Sequence, residues 1–493
     1  MRLRTVLWLI GIFGIGFLLI GMTKCGYDKL QKARESETEP LPPTPPKPNF
    51  VLFLADDMTY TDVGLYGNAD VKTPAIDQLA TEGIWFTKFY NSAPTCSPLR
   101  QSLFTGIYPV RNGAHPNHSR VYDGIQSIPH HLRPLGYRVG ILGKRHEARA
   151  ESFPFEMLAG THGDGGKTPD GADLPMEKAR EFITGSKDKP WCLFVTSNQP
   201  HTPWNRGDAS TYPPEKLTVP PYLVDTPETR VGLSNYYAEI TYMDGQVADL
   251  LEILRETGTE QNTVFLWLSE QGSQFPFCKW TCYDTGIHAA AVLRWPAKIT
   301  TARKSDGLIS YVDVVPTFVE LAGGDPGKID FDGKSFAGVL RGETDRHNDV
   351  VFATNTTRGI YSGSEAFASR AATDGKLLYI RNLHADAEFQ NVITEKDKIF
   401  RSWREKGTDF ARNRVMAYQK REAEELYDLQ SDPWCLRNLF GKIPDSGLSK
   451  KVDAWMKQQG DLGDETERRA EERQPEYKPW SKKGTYESTG SVR

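Results

Sequence analysis

Cysteine is scarce in this chain. Six residues in 493 are too few to staple a fold of that length, which excludes a disulfide scaffold. A surplus of one charge is also missing: 60 Lys and Arg stand against 64 Asp and Glu, for a net charge of −4. Nothing global therefore draws the protein to a polyanion, nucleic acid is not an expected partner, and an anionic polymer would need a local basic cleft. Repeats of solenoid length are absent. Long apolar runs are absent too, except Val6–Met22, which follows Arg2 and Arg4 as an h-region follows an n-region. At about 17 residues the run meets the lower limit for a membrane span. No small-x-small cleavage site follows, and Lys24 spoils a lipobox at Cys25. Residues 1–25 therefore read first as an uncleaved signal anchor and second as a cleaved or lipidated export signal. Either way the chain is expected to be exported, membrane-anchored or periplasmic/extracellular.

Residues 26–47 are rich in proline and charge, with Leu41-Pro42-Pro43-Thr44-Pro45-Pro46, and read as a stiff polyproline tether. Beyond them, apolar strands alternate with helical stretches such as Ala75 to Gly83 and Tyr236 to Glu256. That pattern predicts an α/β catalytic domain over 48–345 built on a mainly parallel sheet. Residues 346–460, with Gly375-Lys376-Leu377-Leu378-Tyr379-Ile380 and Glu425-Leu426-Tyr427-Asp428-Leu429, predict a smaller C-terminal subdomain. Residues 461–493 are charged and poor in apolar side chains, and are expected to be disordered. Cys192 lies in an apolar strand and should be buried. Cys278 and Cys282 would pair only if a turn joined them, and Cys435 is expected to be free.

The chemistry is concentrated at the ends of the apolar runs. Asn49-Phe50-Val51-Leu52-Phe53-Leu54-Ala55 ends in Asp56-Asp57, so a buried parallel strand delivers two carboxylates to its C-terminal edge. Such a pair offers a hard cation its preferred oxygen ligands. Cys96-Ser97-Pro98-Leu99-Arg100 is followed by helical spacing at Leu99, Leu103 and Phe104, with Ser97 as a good N-cap and Pro98 as a good first helical residue. Cys96 would then stand at a helix N-terminus, where anions are favoured, with Arg100 one turn in. Val139-Gly140-Ile141-Leu142-Gly143 ends in Lys144-Arg145-His146, and a Lys and a His two apart on an extended segment share a face. Trp191 to Thr196 leads into a loop carrying His201 between Pro200 and Pro203, and a histidine titrates near neutrality. Thr263 to Ser269 ends in Glu270-Gln271-Gly272.

In this order the segments resemble the type I sulfatases, over roughly residues 48 to 440. The resemblance implies an alkaline-phosphatase-like α/β fold, with a large, mainly parallel sheet flanked by helices and a smaller C-terminal α+β subdomain. It implies that a formylglycine-generating maturase oxidises Cys96 to formylglycine. The hydrate of that aldehyde attacks sulfur with one hydroxyl and expels sulfate with the other. Asp56, Asp57, residue 96, Glu270 and Gln271 would bind one divalent cation, usually Ca²⁺, acting as a Lewis acid. Arg100, Lys144, His146, His201 and Lys279 would complete the catalytic set: Lys144 and Lys279 on the sulfate, His146 on the gem-diol and His201 on the leaving group. Most of the family carries Asp-Asn where this chain has Glu270-Gln271, so the oxygen donors survive but the backbone is expected to sit further back. Tyr108-Pro109-Val110-Arg111-Asn112-Gly113, Phe153-Pro154-Phe155 and Gly272 to Trp280 look most like the sulfamidase branch, the N-sulfoglucosamine sulfohydrolases. The expected substrate is then N-linked sulfate on a glucosamine of a heparan-type glycan, with His118 lining the sugar pocket. The alternatives are an O-sulfatase acting on another sulfated polysaccharide, a phosphoryl-transfer enzyme of the same fold, and a pseudoenzyme that binds sulfated glycans without cutting them.

Overall fold

The computed structural model describes residues 46–146, 150–159, 173–360, 363 and 367–473. The segment read as a signal anchor, and with it the membrane partner, lies outside the described residues. Among the described residues no helix is long and apolar enough to cross a membrane.

Among the described residues nine strands form one sheet and four a second. The large sheet contains β1 (Asn49–Ala55), β2 (Ile84–Tyr90), β3 (Arg138–Gly143), β4 (Glu156–Ala159), β5 (Trp191–Thr196), β6 (Thr263–Ser269), β7 (His288–Arg294), β8 (Arg303–Ser305) and β9 (Ile309–Ser310). Their order is β4-β3-β5-β1-β6-β7-β2-β8, with β9 also on β2. β4, β3, β5, β1 and β6 run parallel. β7 is antiparallel to both of its neighbours, β6 and β2.

β1 is apolar throughout because both of its faces are covered. Val51, Phe53 and Ala55 join the core that includes Tyr236, Met243 and Val247 of the helix Pro227–Glu256. Phe50, Leu52 and Leu54 join the opposite core, with Leu99, Leu103 and Phe104 of the helix Cys96–Thr105. Alternate residues thus serve opposite layers. The strand ends are flush: Leu54 pairs with Thr196 on one side and Leu268 on the other, and Gly143 pairs with Thr196. β1 is flanked by strands that come later in the chain, and the crevice at such a switch point is where open α/β sheets bind ligands.

The small sheet is antiparallel, in the order β10 (Val351–Thr356), β11 (Ala368–Thr373), β12 (Leu377–Asn382), β13 (Glu424–Asp428). The helix Leu448–Gln459 packs Leu448 and Val452 against Ala372, Tyr379 and Leu426. The architecture is the expected large parallel-dominated sheet between helices, with a smaller antiparallel unit after it.

The chain remains packed beyond the boundary expected at residue 460. Asp464–Arg473 is helical. Asp461 and Glu467 are buried on Arg370 of β11, which bonds Asp461 by its Nε and lies 3.0 Å from Glu467 Oε1 through Nη2. Composition suggested disorder because apolar residues are few, but two carboxylates meeting one buried guanidinium anchor the segment instead. Removing one partner of a buried pair strands the other charge, so Glu467→Ala is expected to cost about 3 kcal/mol. Chemical denaturation measures this, and an unchanged midpoint would show that the segment does not pack in solution.

Candidate active site

The loops that follow the four central strands are knitted together at their first residues. Asp56 N–H donates to Gln199 O at 3.0 Å, Glu270 N–H to Ala55 O at 2.8 Å, and Lys144 N–H to Thr196 O at 2.9 Å. The ladder therefore continues into Glu270. The Glu270 side chain is met by Arg100, whose Nε lies 2.5 Å from its Oε1. The helix carrying Arg100 begins at Cys96, with Thr95 as the extended N-cap. That start is two residues earlier than Ser97 and Pro98 suggest, and it places Cys96 itself in the first turn, buried. Arg100 Nη1 donates to Lys144 O at 2.7 Å, and Nη2 lies 3.7 Å from Asp56 Oδ1.

Ligand-type oxygens of Asp56, Asp57 and Glu270 all lie within 4.8 Å of one another. Lys144 Nζ donates to Asp56 Oδ2, Lys279 Nζ to Asp57 Oδ2 at 2.5 Å, and Gln271 Nε2 to Asp57 Oδ1. Even so, Asp56 Oδ1, Glu270 Oε2 and Gln271 Oε1 are buried without a hydrogen-bond donor. Orphaned buried oxygens are costly, and carboxylate and amide oxygens converging on one point suit a hard divalent cation. The residues present therefore fit the cation that the fold family implies. Burial, and then the Asp56 charge, push the Glu270 carboxyl up against the pull of Arg100. Burial also raises the Cys96 thiol, with Lys144 and Lys279 opposing.

His201 Nε2 lies 3.5 Å from Asp57 Oδ2, and the side chain is 27% exposed. Its Nδ1 lies 2.6 Å from Thr202 O. A carbonyl only accepts, so Nδ1 carries the proton and Nε2 is left toward Asp57. Burial, followed by Lys279, pulls this imidazole down to about 4. Ser97 Oγ donates to His146 O at 3.0 Å, and the His146 ring stands edge-on to His118, 4.9 Å between centroids. The structure thus brings together Cys96, Arg100, Asp56, Asp57, Glu270, Gln271, Lys144, Lys279 and His201. His118 and His146 stand beside them as a pair. Asp57, His118, His146, Phe277 and Trp280 all adopt positive φ, between 57° and 73°. Strained backbone of this kind clusters where surrounding structure fixes a functional geometry.

The match to known families follows this geometry. A family model described as Sulfatase covers residues 48–324. The chain belongs to the sulfatase family. The ulvan-active sulfatase of Formosa agariphila is 32% identical over 468 residues, which is 92% of this chain and 89% of that protein. Human N-sulphoglucosamine sulphohydrolase is 28% identical over 303 residues, 55% of this chain and 60% of that protein. The solved structure of Ps i-CgsB with k-i-k-neocarrahexaose shares the fold, with a TM-score of 0.63, 19% identity, and coverage of 87% of this chain and 98% of that one.

These relatives correct the sulfamidase expectation, since the ulvan-active enzyme matches at higher identity and over more of both chains. The fold supplies a physical reason. Tyr108 to Gly113, which argued for the sulfamidase branch, follows the far end of the Cys96–Thr105 helix, about 15 Å from Cys96 at 1.5 Å per residue. Tyr108 packs there on Val312 and Trp455, so likeness at this residue reflects packing.

Several residues of this sulfatase's site escaped sequence reasoning. Asn91, at the end of the apolar strand β2, donates through Nδ2 to Glu270 O at 3.3 Å and Gly286 O at 3.0 Å. The strand-end rule applied elsewhere points to it. Asn355 of β10 donates to Trp280 O at 2.8 Å and meets Thr95 Oγ1 at 3.3 Å. This ties the small sheet to the Cys96 turn, and no local signal marks it. Thr59 Oγ1 and Ser273 Oγ, 2.9 Å apart, buckle the Asp56–Asp57 loop to the Glu270–Gln271 loop. Gly272 lets the same loop close on itself: a Cβ there would lie 2.0 Å from Thr285 O. The described cysteines, including Cys192, Cys278, Cys282 and Cys435, are all buried and free.

Behind the buckle, Tyr236 OH donates to Asp62 Oδ2 at 3.0 Å. Burial pushes the Asp62 carboxyl up to about 7, against the pull of its bonds to Tyr236 and Asn68. A raised acid keeps its proton in the folded state after the unfolded chain has lost it. It therefore costs stability progressively from about pH 4 to about pH 7, and roughly 4 kcal/mol above that. Asp62→Asn should remove this slope, so the variant gains on wild type between pH 5 and pH 8 in urea denaturation. Parallel pH profiles would contradict it.

Proposed function

We propose that this sulfatase hydrolyses sulfate from a sulfated polysaccharide, taking up water and releasing the free hydroxyl and sulfate. The observation that carries the proposal is the buried Cys96 turn facing an acid cluster whose orphaned oxygens call for a cation, with Lys144, Lys279 and His201 around it. In the mature enzyme residue 96 would supply a gem-diol nucleophile as formylglycine, and a calcium ion held by Asp56, Asp57, Glu270, Gln271 and residue 96 would supply Lewis-acid polarisation. The side chains do the rest. Lys144 and Lys279 neutralise sulfate oxygens, Arg100 fixes Glu270 and the Cys96 turn, and His146 bonds the nucleophile's oxygen. His201 gives a proton to the leaving oxygen once a bound anion has raised its affinity for one. A polysaccharide is chosen because the ulvan-active relative spans nearly the whole chain. The export read from Val6–Met22 would bring the enzyme to such a polymer, and cell fractionation tests it.

The enzyme should be co-expressed with a formylglycine-generating maturase and incubated with ulvan, other sulfated polysaccharides and small sugar sulfates. Ion chromatography of released sulfate reads the outcome. Sulfate from at least one polysaccharide is expected. None from any substrate, with the aldehyde present at residue 96, would leave a pseudoenzyme that binds sulfated glycans.

A further inference from the structure

We infer that the exposed basic face of the helix Lys398–Lys406 is a second binding surface for the anionic polysaccharide, holding the chain while the active site works on one of its sulfates. This deepens the proposed function and rests on it. The observation is a concentration of charge. The helix carries Lys398, Arg401, Arg404 and Lys406 against Glu405, in a chain whose net charge is −4. A run of charge is usually just a solvated face, so its placement and pairing decide the matter.

Ile399, Phe400, Ser402 and Trp403 face inward. Lys398, Arg401 and Arg404 are exposed and follow at i, i+3 and i+6 along the opposite flank. At 1.5 Å per residue they stand about 4.5 Å apart along the axis. Glu405 is the acid of this helix. Other surface arginines are already partnered: Arg412 with Asp409, Arg230 with Asp225, and Arg468 and Arg469 with Glu465. Among the described residues no carboxylate pairs with Lys398, Arg401 or Arg404, and Arg404 lies over the Phe400 ring at 5.0 Å. Leaving cations unneutralised raises the local potential where a polyanion can use it.

The helix also stands at the catalytic edge. Pro227–Glu256 leads into β6, so its N-terminal end lies at the edge where the strands finish. The basic helix packs on that end: Trp403 Nε1 donates to Thr229 Oγ1 at 2.9 Å, and Ser402 Oγ lies 2.7 Å from Thr226 Oγ1. Ile399 and Phe275 crowd the same side of Gly232, where a Cβ would lie 2.6 Å from one and 3.4 Å from the other. Phe275 belongs to the loop that delivers Lys279 and stacks on Trp204 at 4.9 Å, and Trp204 Nε1 donates to Pro200 O beside His201. Both catalytic loops therefore rest on the residues that brace the basic helix. The bulk charge cannot recruit a sulfated polymer; this face can.

The test uses the matured full-length enzyme and the variant K398A/R401A, which leaves Arg404 and its packing on Phe400 in place. The substrates are the sulfated polysaccharide that wild type desulfates best and 4-nitrophenyl sulfate. At low salt the variant should lose about tenfold in kcat/KM on the polymer through KM, with kcat and small-substrate turnover within about twofold. The deficit should shrink at high salt, where exposed charges are screened. K398R/R401K, which keeps both charges, should match wild type. Retention on a dextran-sulfate column, read without turnover, should fall in the first variant and persist in the second. Unchanged polymer KM and retention would overturn the inference, as would an equal loss on both substrates. A wild type that releases no sulfate but whose dextran-sulfate retention depends on Lys398 and Arg401 would fail the proposed function and leave the binding surface standing.

Discussion

Cys96→Ala is expected to abolish sulfate release while leaving the fold standing. Cys96 is the first residue of its helix and is buried, but it is small. Trading it for alanine removes one sulfur and installs the best helix former, at a cost of about 1 kcal/mol. A domain stable by roughly 5–15 kcal/mol absorbs that. The chemical loss is far larger, because removing the nucleophile of a covalent mechanism costs on the order of 10⁴ or more in turnover. The unmodified thiol is no substitute, since burial raises its pKa and keeps it protonated. Three measurements separate the possibilities: sulfate release, a melting curve, and mapping of the peptide spanning residue 96 with an aldehyde-reactive probe. Wild type should label and the variant should not. A variant within tenfold of wild-type turnover would remove Cys96 from the mechanism.

Much of the candidate site was legible because its strands are buried on both faces. Such strands read as uninterrupted apolar runs, and the first polar residues after them are those the fold delivers to the edge: Asp56, Lys144 and Glu270. What depends on distant partners was not legible. β7 reverses between β6 and β2, and nothing in its own residues records that. Asn355 reaches the Cys96 turn from a sheet about 260 residues later in the chain, by a bond that no local pattern marks. The helix start was misplaced because Ser97-Pro98 has the better capping chemistry, while tertiary packing favoured Thr95. Residues 461–473 of the charged tail were misread for a related reason. Composition counts apolar residues, whereas Asp461 and Glu467 are held by Arg370. The sulfamidase reading is overturned by the greater identity and coverage of the ulvan-active relative, and at Tyr108 the likeness it rested on is one of packing on Val312 and Trp455.

Stripping divalent cations should silence the enzyme, and calcium should restore it. In the described site, three carboxylates, Asp56, Asp57 and Glu270, face three cationic side chains, Arg100, Lys144 and Lys279. Lys144 is paired with Asp56 and Lys279 with Asp57, whose oxygens a cation needs. A cation on Asp56 and Asp57 would compete with the lysines for these oxygens and would leave both ammonium groups for a sulfate. Two results follow. Calcium should raise the melting temperature of the chelated protein, by the equivalent of about 4 kcal/mol at a thousandfold excess over its dissociation constant. Lys144→Met should bind calcium at least as tightly as wild type in titration calorimetry, because a competitor has gone, yet lose turnover by about a hundredfold or more because a sulfate-neutralising charge has gone too. Glu270→Ala, by contrast, should lose calcium binding and turnover together. A chelated protein with full activity, or elemental analysis showing two zinc ions or a redox metal, would refute the single hard-cation site. Lys144→Met binding calcium more weakly than wild type would refute the competition, and Lys144 would then be a support for the ligand carboxylates.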